Sequence, residues 1–175
     1  MIYLGAMDWL PNEDGILFFA EEVLPRLRAL APSVRLTVVG RNPSRRLAER
    51  LRAHPEIQAL GRVEDVRPHM ARGAVFVIPL RIGGGTRIKA YEAMAMGKAV
   101  VSTRVGVEGL PVRDGENLIL ADDPEAFATA TARLLKDSTE RERIGRNARA
   151  YVEEHVSWRR ATDAFADACR RVARG

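Results

Sequence analysis

A single cysteine, Cys169, stands in 175 residues, which excludes an internal disulfide framework and fits a reducing compartment. Histidine is equally sparse. His54, His69 and His155 lack the spacing of a metal site, so each is expected as a surface or satisfied histidine and no metal is expected. No apolar run approaches the ~18 residues of a membrane span, and no signal-peptide pattern opens the chain. The expectation is a soluble, cytoplasmic chain with no integral membrane segment. Repeats, low-complexity tracts and linkers are missing too, so residues 1–175 are expected to form one domain. Gly-Lys-Ser/Thr does not occur, which excludes a Walker A loop. The Gly-x-Gly-x-x-Gly pattern is missing after the first apolar run, which disfavours NAD, and no cofactor is expected. Nor is charge lopsided: 28 Lys plus Arg face 23 Asp plus Glu, a net charge of +5 with acids interleaved. That gives a modest anion preference but no nucleic-acid stripe, and no nucleic-acid partner is expected.

What the sequence does contain is alternation. Short β-branched runs at Ile2–Leu4, Leu36–Val39, Ile57–Leu60, Ala74–Ile78, Ala99–Ser102 and Leu118–Leu120 read as buried strands. Their near-continuous apolarity predicts a sheet covered on both faces. Helical patterns lie between them, at about 13–30, 44–53, 87–96 and 124–136, with a turn of helix at 68–72. The tail from Thr139 to about Arg171 reads as helical with a break near Ser157-Trp158. Asn12 and Asp123 are expected N-caps, and Gly97 a helix C-terminus. Pro25 predicts a kink or an early stop in the first helix. The fold class is therefore α/β: a Rossmann-like, doubly wound parallel sheet of about six strands with a helical C-terminal tail. Ligands in such sheets bind beyond the carboxyl ends of the strands. Those ends lead into Gly5–Asp14, Gly40–Pro43, Gly61–Asp65, Leu80–Thr86 and Thr103–Leu110.

One of these loops carries the strongest signal. Gly83-Gly84-Gly85-Thr86 lets the main chain approach a ligand closely, and Thr86 is expected to cap the following helix, whose free N–H groups favour an anion. Arg87 and Lys89 place two cations in the first turn, where they oppose the helix dipole unless an anion is bound. A phosphate or diphosphate is the simplest such anion; a tight turn with two solvated cations is the alternative. Glu92 either accepts hydrogen bonds from vicinal hydroxyls such as those of ribose, or pairs with Lys89 at i,i+3. Ile88, Tyr91 and Ala95 are expected to form the buried stripe of that helix. Arg41 and Arg62 each follow a strand-ending glycine and point to the same rim, for phosphate or base contact. Trp9 either stacks on a base or packs on the first helix. Glu108-Gly109-Leu110 either turns around a phosphate or is a structural turn. The arginines of 133–149 are mixed with acids and read as a solvated helix face.

Several stretches together resemble one family. Glu92-Ala93-Met94-Ala95-Met96-Gly97-Lys98-Ala99-Val100-Val101, Gly61-Arg62-Val63-Glu64-Asp65, Asp114-Gly115-Glu116-Asn117 and the tail from Leu134 to Trp158 resemble the C-terminal, donor-binding half of GT-B-fold glycosyltransferases, in particular the retaining group known as glycosyltransferase family four, glycosyl transferases group 1. The resemblance implies a nucleotide-diphosphosugar as partner, metal-independent transfer of a hexose-like sugar, and an N-terminal acceptor domain with no counterpart in this chain. The chain by itself is then expected to be inactive, and the full-length enzyme cytoplasmic or membrane-associated. Glu92 matches the second carboxylate of the family's Glu-x7-Glu motif, which holds the ribose hydroxyls. The first carboxylate, which contacts the sugar, falls at Gly84, so sugar contacts must come from the backbone of Gly84, Gly85 and Thr86 or elsewhere. The family's cations after the first strand are missing from the stretch beginning at Gly5, and Arg87 and Lys89 are expected to stabilise the diphosphate leaving group in their place. The main chain around Arg62 and Val63 resembles the family's base-contacting turn. Rival readings are a non-catalytic nucleotide-binding or interaction module and, on the pI near 10 alone, a basic nucleic-acid-binding protein.

Overall fold

The apolar runs form one sheet. In the computed structural model of the chain, residues 1–156, 162, 166 and 169–173 are described. The strands are β1 (Ile2–Leu4), β2 (Leu36–Val39), β3 (Ile57–Gly61), β4 (Val75–Ile78), β5 (Ala99–Ser102) and β6 (Ile119–Leu120). They pair in parallel in the order β3-β2-β1-β4-β5-β6. The helices are α1 (Leu10–Phe18), α2 (Leu24–Leu30), α3 (Arg45–Arg52), α4 (Arg67–Arg72), α5 (Ile88–Ala95), α6 (Pro124–Lys136) and α7 (Ser138–His155). The Rossmann-like α/β class expected from the alternation is what forms.

Continuous apolarity has the expected cause except in β3, expected buried, which lies at the sheet edge with Gln58 and Ala59 exposed. Tyr3, Val75, Val77, Ala99 and Val101 bury on one face of the sheet, against Phe19, Leu24, Leu27, Leu47 and Phe127. Ile2, Leu4, Phe76, Ile78 and Val100 bury on the other, against Met70, Ala90, Ala93 and Met94. Each face removes a set of large side chains from water, which is the main force holding the layers together.

Three local details differ from expectation, each for a physical reason. The first helix does not stop at Pro25. A π-helical turn, Phe19–Val23, joins α1 to α2, and the Leu24 N–H reaches the Phe19 carbonyl, five residues back. Widening the helix by one residue absorbs the donor that proline lacks. Asn12 is not an N-cap: α1 starts at Leu10 after Trp9, and Asn12 is buried within its first turn. The stripe expected from Ile88, Tyr91 and Ala95 is also not the buried one. Ala90, Ala93 and Met94 are buried, while Ile88 is 62% exposed. Small residues face the sheet because α5 and α7 approach by backbone: a Cβ on Gly145 would lie 2.1 Å from the Gly97 carbonyl oxygen.

Other punctuation works as read. The Asp123 carboxylate caps α6 by accepting from the Ala126 N–H, and Gly97, at φ 66°, ends α5. The Asp114–Asn117 stretch is a structural turn: Asp114 accepts from Leu120 N–H and Asn117 from Arg113 N–H. Helix α7 reaches His155, and the expected break at Ser157-Trp158 lies outside the described residues. Among those residues no helix is long and apolar enough to cross a membrane.

Candidate functional site

The sheet order reverses between β1 and β4, so crossovers leave to opposite faces there and a crevice opens beyond the strand ends. A cleft of about 390 Å³ occupies this place, within the usual size of small-ligand sites. It is lined by Leu4, Gly5 and Ala6 after β1, by Val39, Gly40 and Arg41 after β2, and by Gly61, Arg62, Val63 and Val66 after β3. Asn12 from α1 and Lys89 and Glu92 from α5 close it. The floor is main chain because the loops touch. A Cβ at Gly40 would fall 1.8 Å from the Gly5 carbonyl oxygen, and the Gly40 N–H donates to the Gly61 carbonyl at 3.0 Å.

Lys89 is the most perturbed charge at this site. Its Nζ donates to Asn12 Oδ1 at 2.5 Å and lies 5.0 Å from the centre of the Tyr3 ring. Tyr3 in turn donates its hydroxyl to Asn12 Oδ1 at 3.0 Å, and Asn12 Nδ2 donates to the Ala6 carbonyl at 2.9 Å. Asn12 is thus a buried bridge from β1 to α5, its carbonyl oxygen aimed at a cation. Burial pushes the Lys89 ammonium down to about 8, helped by the charge of Arg87 and opposed by Glu92. An ammonium so desolvated, with one neutral acceptor and, among the described residues, no carboxylate bonded to it, is stabilised by an incoming anion.

Glu92 does not form the expected alternative pair with Lys89. It is exposed at the cleft, and among the described residues no hydrogen bond or ion pair engages its carboxylate. Arg41 and Arg62 are likewise exposed on the cleft's opposite wall, and among the described residues neither forms a salt bridge. Most other arginines do, as in Arg81–Asp14, Arg67–Asp65 and Arg104–Asp122. After the Asn42 hydrogen bond, however, the charge of Arg41 helps hold the Asp8 carboxyl below its usual range. Three cations and one acid thus face the same cleft without being neutralised by bonded partners.

Arg87 takes a different position from the one expected. Its side chain is only 4% exposed and turns back into the glycine loop. Nη1 donates to the Gly84 carbonyl and Nη2 to the Gly83 carbonyl, both at 3.1 Å. Nη2 also meets Glu108 Oε2 at 3.1 Å. The guanidinium therefore binds two loop carbonyls and ties the loop to the turn after β5. Arg87, not Thr86, precedes α5. Its backbone, at φ 20° and ψ 38°, lies at the margin of the left-handed region and makes no side-chain cap, so the expected Thr86 cap is corrected. Gly84, Thr86 and Arg87 line a second, smaller pocket, which shares Lys89 with the main cleft. Gly85, at φ 93°, shapes the loop. Trp9 borders that second pocket and not the main cleft.

The loop is held from below as well. Thr103 donates its hydroxyl to the Leu80 carbonyl and accepts from Gly106 N–H. Arg81 reaches Asp14 at 2.6 Å and stacks on Phe18, 4.9 Å from its ring centre. The glycine loop is therefore anchored at both ends, and Arg87 ties its Gly83 and Gly84 carbonyls to Glu108.

Residues 1–137 match the family described as Glycosyl transferases group 1. The chain belongs to the glycosyl transferases group 1 family. It is 32% identical over 162 residues to the phosphatidyl-myo-inositol mannosyltransferase of Mycolicibacterium smegmatis, covering 89% of this chain and 40% of that protein. A 44.6 kDa protein of the Klebsiella pneumoniae cps region is 25% identical over 163 residues, covering 89% of this chain and 42% of its own. The chain thus spans about two fifths of the length of the curated relatives it matches. The C-terminal domain of a glycosyl transferase group 1 protein from Francisella tularensis superposes with a TM-score of 0.74 at 21% identity, covering 90% of this chain and 86% of that one. This likeness concerns the fold. It agrees with the resemblance to GT-B C-terminal domains drawn from the sequence.

Proposed function

We propose that this glycosyl transferases group 1 chain binds the nucleotide-diphosphosugar donor of a retaining, metal-independent hexosyltransferase. One observation carries the reading: Lys89, Arg41 and Arg62 converge on a cleft at the sheet's switch point, with the carboxylate of Glu92 beside them. In this reading the base lies against Val63, Val66 and Val39 on the β2–β3 side, near the main chain of Arg62. Glu92 accepts from the ribose hydroxyls. The diphosphate lies over Gly5 and against Lys89, reached also by Arg41 or Arg62. Lys89 supplies positive charge to the leaving diphosphate as the glycosidic bond breaks, in a preorganised position that needs no rearrangement at that moment. Arg87 acts as a positioning residue that fixes the loop carbonyls, leaving Gly84, Gly85 and Thr86 to meet the sugar. A mannosyltransferase among the relatives by name, and UDP and glucose in the related Anabaena HepE structure, support a nucleotide sugar as partner. The acceptor and the closing wall of the cleft belong, in this reading, to a second domain of the kind that makes up the rest of the relatives' length. Residues 1–175 alone bind donor without sustained turnover, because an open cleft does not exclude water or bring an acceptor into contact.

Glu92→Gln tests the reading. Calorimetry should show that the wild type prefers a ribonucleoside diphosphate over its 2′-deoxy analogue by about tenfold, the scale of a charge-assisted hydrogen bond. The variant should fold normally and lose most of that preference. Equal discrimination by both proteins would remove Glu92 from the ribose site.

A further inference from the structure

The second pocket is where a different observation enters. It encloses about 210 Å³ next to the main cleft and is lined by Trp9, Leu80, Gly84, Thr86, Ile88 and Gly106, with Arg87 and the shared Lys89 at its edge. That volume is below the range of drug-sized ligand sites, and none of the lining residues carries a carboxylate. The aromatic surface is not spent on the core: Trp9 is 43% exposed, and Ile88 beside it 62%. Its indole runs along the glycine loop, close enough that a Cβ on Gly83 would sit 3.6 Å from Cη2. A half-exposed indole at the mouth of a polar cleft offers an apolar face with a wet rim. The C–H face of a pyranose ring complements such a surface.

We infer that Trp9 is a sugar-contacting residue of this chain, packing one face of the donor's hexose ring in the pocket between the indole, Ile88 and the glycine loop. The inference rests on the nucleotide-sugar reading above and adds where, and by what contact, the sugar is recognised. Recognition by ring face has a consequence. A pocket with few hydrogen-bonding groups rejects a changed hydroxyl weakly, so donors that differ at one hydroxyl should be separated by less than about tenfold in affinity.

The test compares each diphosphate with its sugar-linked form. Calorimetry of the full chain with UDP, UDP-glucose and UDP-galactose, and with GDP and GDP-mannose, is run on wild type, Trp9→Ala and Trp9→Phe. Trp9→Ala should leave the Kd for the preferred diphosphate within twofold and weaken the sugar-linked form about five- to tenfold. Trp9→Phe, which keeps an aromatic face, should recover most of the loss. Trp9 lies half exposed at the start of α1, and an unchanged diphosphate affinity would itself show that the variant is folded. If Trp9→Ala weakens diphosphate and sugar-linked form equally, or neither, the sugar contact is elsewhere and the inference fails while the donor-binding reading stands. If wild type binds none of these ligands, both fail together.

Discussion

Lys89 shows how much one residue's surroundings matter. Its spacing from the three glycines placed it at the mouth of a helix, and the sequence alone suggested an anion. What the sequence could not convey was the bridge beneath it. Asn12 reads locally as a helix cap, and only the sheet brings it within 2.5 Å of an ammonium 77 residues away. Arg87 is the opposite case. Its position two residues earlier suggested the same role, yet the chain turn at φ 20° directs its guanidinium inward to the loop carbonyls. The two diverge because Arg87 lies outside the helix, and even on a helix side chains two residues apart point about 200° from each other.

The Lys89 environment predicts a pH dependence of definite sign. Its ordinary value is 10.5 and its folded value about 8, so the folded chain holds this proton less tightly than the unfolded one. Below pH 8 both states are protonated and the desolvation cost opposes folding in full. Between about 8 and 10.5 the unfolded chain binds more protons, and stability rises with pH. Binding of an anion works the other way. It raises the Lys89 value, so the complex takes up a proton and affinity falls as pH rises through 8. Diphosphate affinity should drop about tenfold between pH 7.5 and 9.5 in the wild type, beyond whatever change Lys89→Met shows over the same range. Parallel pH profiles for the two proteins would contradict the contact.

At the level of elements, the strands and most helices were legible because apolar runs and caps act locally. Pro124–Lys136 is read with the correct ends, since Asp123 caps one and Lys136 closes the other. Two things were not legible. The π-helical turn that accommodates Pro25 depends on a continuing helix being worth more than a break, which burial of Leu24 and Leu27 decides. The buried stripe of α5 depends on how closely α7 approaches, which no pattern in α5 itself records. The close contact of Gly145 with Gly97 makes that dependence measurable. Gly145→Ala improves helix propensity by ~1 kcal/mol, but its Cβ would sit 2.1 Å from a carbonyl oxygen and 3.6 Å from the Ala99 nitrogen. Backbone cannot move aside as a side chain can. We expect a net destabilisation of about 1–3 kcal/mol in chemical denaturation. A stabilised variant would mean that α7 is free to shift from α5.

For the whole molecule, topology did most of the work. Strand–helix alternation implied a parallel sheet, and the carboxyl ends of its strands implied the site's loops before any side chain was placed. Gly5, Arg41, Arg62, Val63, Lys89 and Glu92 from the sequence reading all line that cleft, while Gly84, Thr86 and Arg87 line its neighbour. Val66 escaped the reading, and Asn12 and Gly40 lay in its candidate loops without being singled out as ligand contacts; none has a motif of its own. They belong to the site only because loops distant in sequence meet at one end of the sheet.

The central claim is that a nucleoside diphosphate occupies this cleft. Titration of the ¹⁵N-labelled chain with UDP and with GDP, followed by amide shifts, tests it without assuming any residue's role. The account predicts saturable shifts at Gly5, Gly40, Gly61, Arg62 and Lys89, with the amides of Phe127–Leu134 in α6 unmoved. Shifts centred on α6 and β6, or none with either nucleotide, would contradict it.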